Sequence, residues 1–291
     1  MTPLCPFCQS ESKDLYLKLK DYFLTQEDFE IYRCPHCGLL FTWPRPDDNV
    51  IGNYYKSDDY LSHNESKKGL IPFIYNRVKR VNIKNKFTIA TTAAKGNRML
   101  DFGCGVGDFI FYAKQHGYEV SATDVSQNAR EAAAHKLGTP LPSPEQVFAM
   151  PNQNFDIITM WHVLEHISDL RTQIFHLDRL LAPEGRLVIA LPDYLSYDAQ
   201  YYKDKWAAYD VPRHLNHFDR NSLQNLFAGT RLKLVDTQPL KWDAYYISML
   251  GEKYRGSSLS FVKGIIQGFK SNRAARKSGE YSSMVYIFER K

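Results

Sequence analysis

No stretch of the chain approaches the roughly 18 consecutive apolar residues that a bilayer-crossing helix needs, so the sequence offers no transmembrane span. Low-complexity tracts and internal repeats are also missing, which excludes solenoid and collagen-like scaffolds. The first residues, MTPLCPFC, show no charged segment followed by an apolar one. No secretory leader is therefore read there, and a cytoplasmic location is expected. Acids are absent from two long stretches. Residues 66–98 hold nine Lys or Arg (67, 68, 77, 79, 80, 84, 86, 95 and 98), and residues 253–277 hold seven. Either these are solvated helix faces, or they attract an anionic partner such as RNA, a sugar nucleotide or a lipid phosphate. What remains is an ordinary globular composition, 44% hydrophobic and 24% charged with a net charge of +5. At 291 residues it suits one large α/β domain with a small appendage, or two modest domains.

Four of the five cysteines belong together. Cys5 and Cys8, then Cys34 and Cys37, form two C-x2-C pairs separated by 25 residues. Two sulfurs three residues apart reach one ion from a single turn, and two such turns supply the four soft ligands that tetrahedral zinc prefers. Gly38 follows the second pair, where a tightened turn needs a residue free to take positive φ. LYLKL (15–19) and FEIYR (29–33) alternate like short strands between the pairs. The pattern is that of a zinc ribbon, a rubredoxin-like iron site being the alternative. Disulfides are disfavoured in a chain without a leader. Four thiolates leave no open coordination position, so the metal's expected role is structural.

LDFGCGVGDF (100–109) places glycines at 103, 105 and 107 between a short apolar strand and a helix marked by Phe109, Ile110 and Ala113. Backbone in such a turn approaches a ligand closely. A second strand (118–123) ends at Asp124, placed to accept from ribose hydroxyls, and Ser126 caps a helix that Gly138 closes. The dinucleotide fingerprint G-x-G-x-x-G fails at its third glycine, where Asp108 stands. A carboxylate there repels a pyrophosphate. A P-loop fails as well, because no Gly-Lys-Ser/Thr follows.

An acid followed by G-x-G-x-G resembles motif I of class I S-adenosylmethionine-dependent methyltransferases. Asp101, Gly103, Gly105 and Gly107 match it, with Cys104 inside the loop, and Asp124 matches the ribose-binding acid, followed by Val125. FDIITMWHVLEH (155–166) resembles the family's fourth strand and its exit, and LLAPEGRLVIALPD (180–193) its fifth. The resemblance implies an α/β fold, a Rossmann-like seven-stranded sheet with an antiparallel last strand plus the small N-terminal zinc ribbon. It divides the chain into a ribbon (1–45), a tyrosine-rich and basic helical linker or lid (46–96) and a methyltransferase domain (97–291). Strands are expected at 231–238 and 283–288, and helices bearing Leu170, Ile174, Leu177 and Leu181, and Leu223, Leu226 and Phe227, the latter capped by Asp219. In relatives an acid after the third strand contacts the adenine amine. Here Pro144 occupies that place and Glu145 is the nearest substitute.

Methyl transfer from a sulfonium is an in-line displacement in which the protein mainly aligns the acceptor, and oxygen acceptors need a base. In relatives the residues after strand four face the reacting methyl: here Trp161, His162, Glu165 and His166. No Asn/Asp-Pro-Pro-aromatic motif stands there, which argues against exocyclic amines. Cys104 lies in the cofactor loop and is assigned no catalysis. Residues 193–218 hold five tyrosines, Trp206, His214 and His217 in the expected acceptor entrance. DVPRHLNHF (210–218) is similar to a signature of zinc-ribbon-bearing bacterial methyltransferases of the ubiquinone-methyltransferase and deoxysugar types. His166, His214 and His162 are the candidates for catalysis, His214 and His217 having a loop anchor as their alternative role. The tyrosines of NYYKSDDYL (53–61) suit a lid over the pocket, or simple packing of the ribbon. The resemblance implies S-adenosyl-L-methionine as cofactor, structural Zn2+, and a small-molecule or glycan-precursor acceptor methylated on oxygen, an anionic one such as a sugar nucleotide being among those expected. An RNA methyltransferase gripping the backbone with the basic stretches is one alternative. A membrane-surface enzyme acting on a lipid-linked substrate is another: Phe261, Val262, Ile265, Ile266 and Phe269 make an apolar helix face, although Gly264 and Gly268 weaken that helix and the face is expected to pack against the domain.

Overall fold

A computed structural model of the chain describes residues 4–47, 49–55 and 70–291, the last segment with side chains from 77 onward. Lys67, Lys68 and residues 56–61 of the tyrosine-rich segment lie outside the described residues.

The alternating N-terminal segments become strands β1 (Asp14–Lys20) and β2 (Asp28–Arg33), paired antiparallel, and a third strand β3 (Leu40–Trp43) pairs with β2. Gly38 takes φ +80° at the turn after Cys37, as that turn requires. Helix α1 (Leu70–Thr91) leads to β4 (Arg98–Phe102), and the glycine loop then opens α2 (Asp108–Gln115), whose Phe109, Ile110 and Ala113 are buried. β5 (Glu119–Thr123) precedes α3 (Gln127–Leu137), where Ser126 accepts from Ala129 N–H and Gly138 ends the helix at φ +70°. A short helix α4 (Pro144–Phe148) with a Ser143 capping box comes before β6 (Phe155–Trp161). α5 (Leu170–Leu180) buries Leu170, Ile174 and Leu177 and runs directly into β7 (Leu181–Pro192). The segment after β7 forms α6 (Tyr197–Tyr202), two 3-10 turns and the two-residue strand β8 (Asn216–His217). Asp219 caps α7 (Arg220–Phe227), followed by β9 (Leu232–Pro239), α8 (Asp243–Tyr254), α9 (Ser260–Ser278) and β10 (Ser283–Arg290).

The main sheet has the order β5-β4-β6-β7-β10-β9, parallel from β5 to β7, with β10 antiparallel to both its neighbours. Among the described residues it has six strands rather than the expected seven. The missing one would follow α3, where Pro140 and Pro142 remove two of the N–H groups that an edge ladder needs. The antiparallel last strand is present and inserted between β7 and β9. Among the described residues no helix is long and apolar enough to cross a membrane.

The ribbon does not stand apart. Its sheet runs β1-β2-β3-β8, so its fourth strand comes from the segment after β7, with Leu40 opposite His217 and Phe41 opposite Asn216. Cys5, Cys34, Cys37, Leu39 and Phe41 join the same apolar core as Leu100, Ile158 and Leu187. The helices α8 and α9 pack closely because Gly264 and Gly268 lie against Met249 and Tyr245, where any Cβ would fall within 2.8 Å of their backbone. The buried face of α9 is thus the small-residue one. Phe261, Val262, Ile265, Ile266 and Phe269 remain exposed.

Candidate active site

Parallel strands end together at the rim that carries the glycine loop. Asp101 leaves β4 fully buried, and Thr159, its register partner on β6, donates Oγ–H to Asp101 Oδ1 at 2.6 Å. Burial outweighs that bond and the charge of Lys86, pushing the Asp101 carboxyl up to about 7. Gly103 and Gly107 both have φ near +80°, and a Cβ on them would strike Val163 or Ala133. Among the described residues Gly105 has nothing within 4 Å of its own Cβ position, so space is left above it. Its N–H donates to Asp124 Oδ2 at 2.9 Å, while Ser126 N–H donates to Oδ1, also at 2.9 Å. The acid at the end of β5 therefore clamps the loop. Val125 beside it is 79% exposed, a large apolar side chain turned to solvent at the loop's edge.

Asp108, the residue that broke the dinucleotide fingerprint, begins α2 and is bridged by Lys79 at 2.6 Å and Lys136 at 2.5 Å. Its charge suits the positive end of the helix dipole and ties α1 and α3 to the loop. Burial and the charges of Asp101 and Asp124 push the Cys104 thiol far up, which leaves it protonated and unreactive. Glu145 is exposed on α4 and accepts Ser143 Oγ–H at 2.6 Å. Its carboxylate approaches the loop only through the charge of Arg130, which itself donates to Asp124 O.

Trp161 ends β6 with its ring against Phe109 and beneath the ammonium of Lys86, 5.0 Å from the ring centre. Desolvation holds Lys86 below the usual lysine value although Asp243, Asp101 and Glu165 all favour its charge. Nothing marked Lys86 in the sequence beyond its place in an acid-free stretch, and Asp243 carried no signal at all.

His162 takes φ +60° at the exit of β6. Its Nε2 stands 3.1 Å from Asp243 and its Nδ1 3.4 Å from Glu165. Desolvation opposes the imidazolium, but the two carboxylates outweigh it and push the group up to about 9. At neutral pH His162 is a cation, unsuited to taking a proton. Its folded pKa exceeds the unfolded value of about 6.5. Its stabilisation is therefore complete below that value and lost as pH rises through about 9. Urea denaturation of the wild type and of His162→Gln should show a stability gap at pH 6 that narrows at pH 9.5; an unchanged gap would mean that the carboxylates do not charge it.

His166 and His214 behave differently. His166 Nδ1 lies 2.9 Å from Arg213 O and 2.9 Å from the Tyr55 hydroxyl, and His214 Nδ1 lies 2.9 Å from Ala208 O. A carbonyl only accepts, so both rings carry a proton on Nδ1, and Nε2 is the nitrogen left for any other partner. Burial and the neighbouring His214 push His166 down to about 4, so it is neutral across the physiological range. The two rings meet edge to face with centroids 4.6 Å apart. Buried between them and His162 is Glu165, whose two carboxylate oxygens have no hydrogen-bond partner among the described residues. His217 does not join this group. It is buried 3.0 Å from Thr42 Oγ, which donates to His214 O, and so anchors β8 to the ribbon. Tyr55 thus brings the described start of the tyrosine-rich segment onto the site, while Tyr54 packs on Phe29 of the ribbon.

The four ribbon cysteines converge separately, their sulfurs all within 4.8 Å of one another. Cys5 to Cys37 is 3.6 Å and Cys8 to Cys34 is 3.5 Å. These separations are too long for disulfides. They fit the roughly 3.8 Å edge of a tetrahedron with metal–sulfur bonds of about 2.3 Å.

The family model described as a methyltransferase domain matches residues 76–237. The chain belongs to that family. It is 32% identical over 106 residues to the ubiquinone biosynthesis O-methyltransferase of Caulobacter sp. (strain K31), covering 34% of this chain and 42% of that protein. It is 33% identical over 129 residues to the malonyl-[acyl-carrier protein] O-methyltransferase of Serratia marcescens, covering 42% and 48%. The chain thus spans about half the length of these curated relatives. Among solved structures, geranyl diphosphate C-methyltransferase from Streptomyces coelicolor A3(2) superposes with TM-score 0.54 at 14% identity, over 84% of this chain and 98% of that one. Magnesium protoporphyrin IX methyltransferase from Synechocystis PCC 6803 gives the same score and identity, over 84% and 100%. At that identity the likeness is one of fold.

Proposed function

We propose that this member of the methyltransferase domain family moves the methyl group of S-adenosylmethionine to an oxygen of a small-molecule or glycan-precursor acceptor. The observation that carries the reading is the glycine loop, closed by Asp124 on Gly105 N–H, standing on the same rim as the Glu165–His166–His214 cluster. When bound, the donor supplies a methyl group activated by its sulfonium. Asp101, Gly103, Cys104, Gly105 and Gly107 shape the backbone cradle. Asp124 accepts from the ribose hydroxyls, and Val125 and Glu145 border the adenine. Trp161 walls the methionine side, where the Lys86 ammonium suits the donor's carboxylate. His162, held cationic, fixes Glu165 and Asp243 rather than taking a proton. His166, neutral across the physiological range, stands with His214 and Glu165 beside the segment 193–218 through which the acceptor enters, and these three are the groups that act on the acceptor's hydroxyl. The main demand on the protein is alignment.

Both curated relatives above are named as O-methyltransferases, which supports oxygen. The four cysteines suit a structural Zn2+, which organises the ribbon (1–45); residues 46–96 are read as linker and lid, and 97–291 as the methyltransferase domain. An RNA-gripping role is less well supported, because Lys79, Lys95 and Arg98 are spent on Asp108, Glu184 and Asp156.

Calorimetric titration with S-adenosylmethionine, followed by transfer of labelled methyl groups into a cell extract with and without ribonuclease, tests this. Donor heat and a ribonuclease-insensitive label of small-molecule size are expected. Label in RNA would overturn the acceptor class, and absence of donor heat the whole reading.

A further inference from the structure

Outside the ribbon, Glu165, His166 and His214 bring one carboxylate oxygen and one nitrogen of each ring within 4.8 Å of one another. Three features of this cluster are those of a ligand set. The first is the state of the rings. Each histidine spends Nδ1–H on a backbone carbonyl, Arg213 O for His166 and Ala208 O for His214. Metal-binding imidazoles are commonly oriented in this way, with the outer nitrogen tied to an oxygen and the inner lone pair aimed at the ion. The second is Glu165. Its side chain is 1% exposed, Oε1 lies 3.4 Å from His162 Nδ1, and among the described residues neither oxygen has a hydrogen-bond partner. The His162 imidazolium faces one edge of it, but burying an ionised carboxylate with no hydrogen bond to either oxygen is still costly, and a second cation on the side of His166 and His214 relieves that cost. The third is space. Glu165 and His214 line a small cavity together with Tyr194, Trp206, Asn216 and His217. The Tyr194 hydroxyl is also buried and lacks a hydrogen-bond partner among the described residues.

We propose that Glu165, His166 and His214 bind one divalent cation of the Mn2+, Fe2+ or Zn2+ class. Two imidazoles and one carboxylate are the mixed nitrogen–oxygen set those ions accept, and three protein ligands leave positions open. The open positions take oxygen atoms of the acceptor. Acceptors with two adjacent oxygens, such as vicinal hydroxyls or a hydroxy acid, are the class selected. That last step rests on the methyl-transfer reading above; the cation site itself does not.

Mn2+ is the probe, because the four thiolates of the ribbon prefer Zn2+. The full chain, saturated with Zn2+ and freed of excess, is titrated with Mn2+ while free Mn2+ is read by electron paramagnetic resonance. One Mn2+ per chain is expected, with its affinity weakened more than about 100-fold in Glu165→Gln and His214→Gln. Folding of each variant is checked by denaturation. In the wild type, bound Mn2+ should also broaden the imidazole proton signals of His166 and His214 before those of His36 and His135. Absence of a bound Mn2+ up to millimolar concentration, unaltered affinity in the variants, or broadening elsewhere would overturn the site. Calorimetry with S-adenosylmethionine in the presence of a chelator is run in parallel. Donor heat without Mn2+ binding sinks the cation site alone, and Mn2+ binding without donor heat sinks the methyl-transfer reading alone.

Discussion

Arg213→Met should cost about 3–5 kcal/mol of stability, the largest loss expected from any single substitution outside the apolar core. Arg213 and Asp21 are 1% and 0% exposed, joined by Nη2–Oδ1 at 2.7 Å and Nη1–Oδ2 at 3.3 Å. Asp210 accepts from the same guanidinium at 2.7 Å, and Tyr54 O accepts from Nη1 at 3.0 Å. Burial alone would raise Asp21, but Arg213 and the N–H groups of Leu24 and Thr25 hold its carboxyl below the usual range. Methionine fills much of the volume and leaves that carboxylate buried with no cation. Because those N–H donors remain, the loss should fall nearer 3 than 5 kcal/mol. Asp21→Asn in the same chain should recover part of it, since the orphaned charge is then gone. Urea denaturation of the two single variants and the double variant measures the coupling. Additive losses would mean that the pair is not the fastener between ribbon and insert. The effect reaches the active site, because Arg213 O holds His166 Nδ1–H and Tyr54 precedes Tyr55.

How much of this was legible in the sequence follows the range of each contact. The ribbon strands β1 and β2 announced themselves by alternation, and the glycine loop by spacing, since both are local patterns. The pairing of Leu40 with His217 was not, because nothing near either residue encodes a partner so distant in the chain. The expected seventh strand rested on the family's topology, and two prolines at 140 and 142 overrule it. Its place after β6 makes His162 a candidate base in the sequence. Its charge is set by Asp243, far along the chain at the start of α8, so only the folded geometry makes it a cation. Lys86 was hidden among solvated lysines because helix phase relative to Trp161 cannot be read without knowing where α1 lies. The apolar face of α9 was expected to pack on the domain. The glycines do pack there, and since a helix cannot bury both faces against one neighbour, the phenylalanines stay outside.

Asp124→Ala should weaken binding of S-adenosylmethionine about 100-fold or more. The carboxylate has two structural tasks already, accepting Gly105 N–H and Ser126 N–H at 2.9 Å each. In the proposed complex it also accepts from the ribose. Hydrogen bonds to a charged group contribute about 1.5–3 kcal/mol each, so losing two ribose contacts accounts for the expected factor even if the loop keeps its shape. The loop should not keep it entirely. Without Oδ2 the N–H of Gly105 loses its partner, and the cradle between Gly103 and Gly107 loosens. Asp124→Asn separates the two contributions, because one amide oxygen can still serve one N–H while the amide nitrogen opposes the other. Its folding stability should lie between those of wild type and Asp124→Ala, and its donor affinity close to that of the alanine variant. Calorimetry with S-adenosylhomocysteine, which carries the same ribose without the reactive methyl, reads the affinity directly. If Asp124→Ala binds within about threefold of wild type, the acid at the end of β5 is a loop clamp only, and the donor's ribose lies elsewhere on the rim.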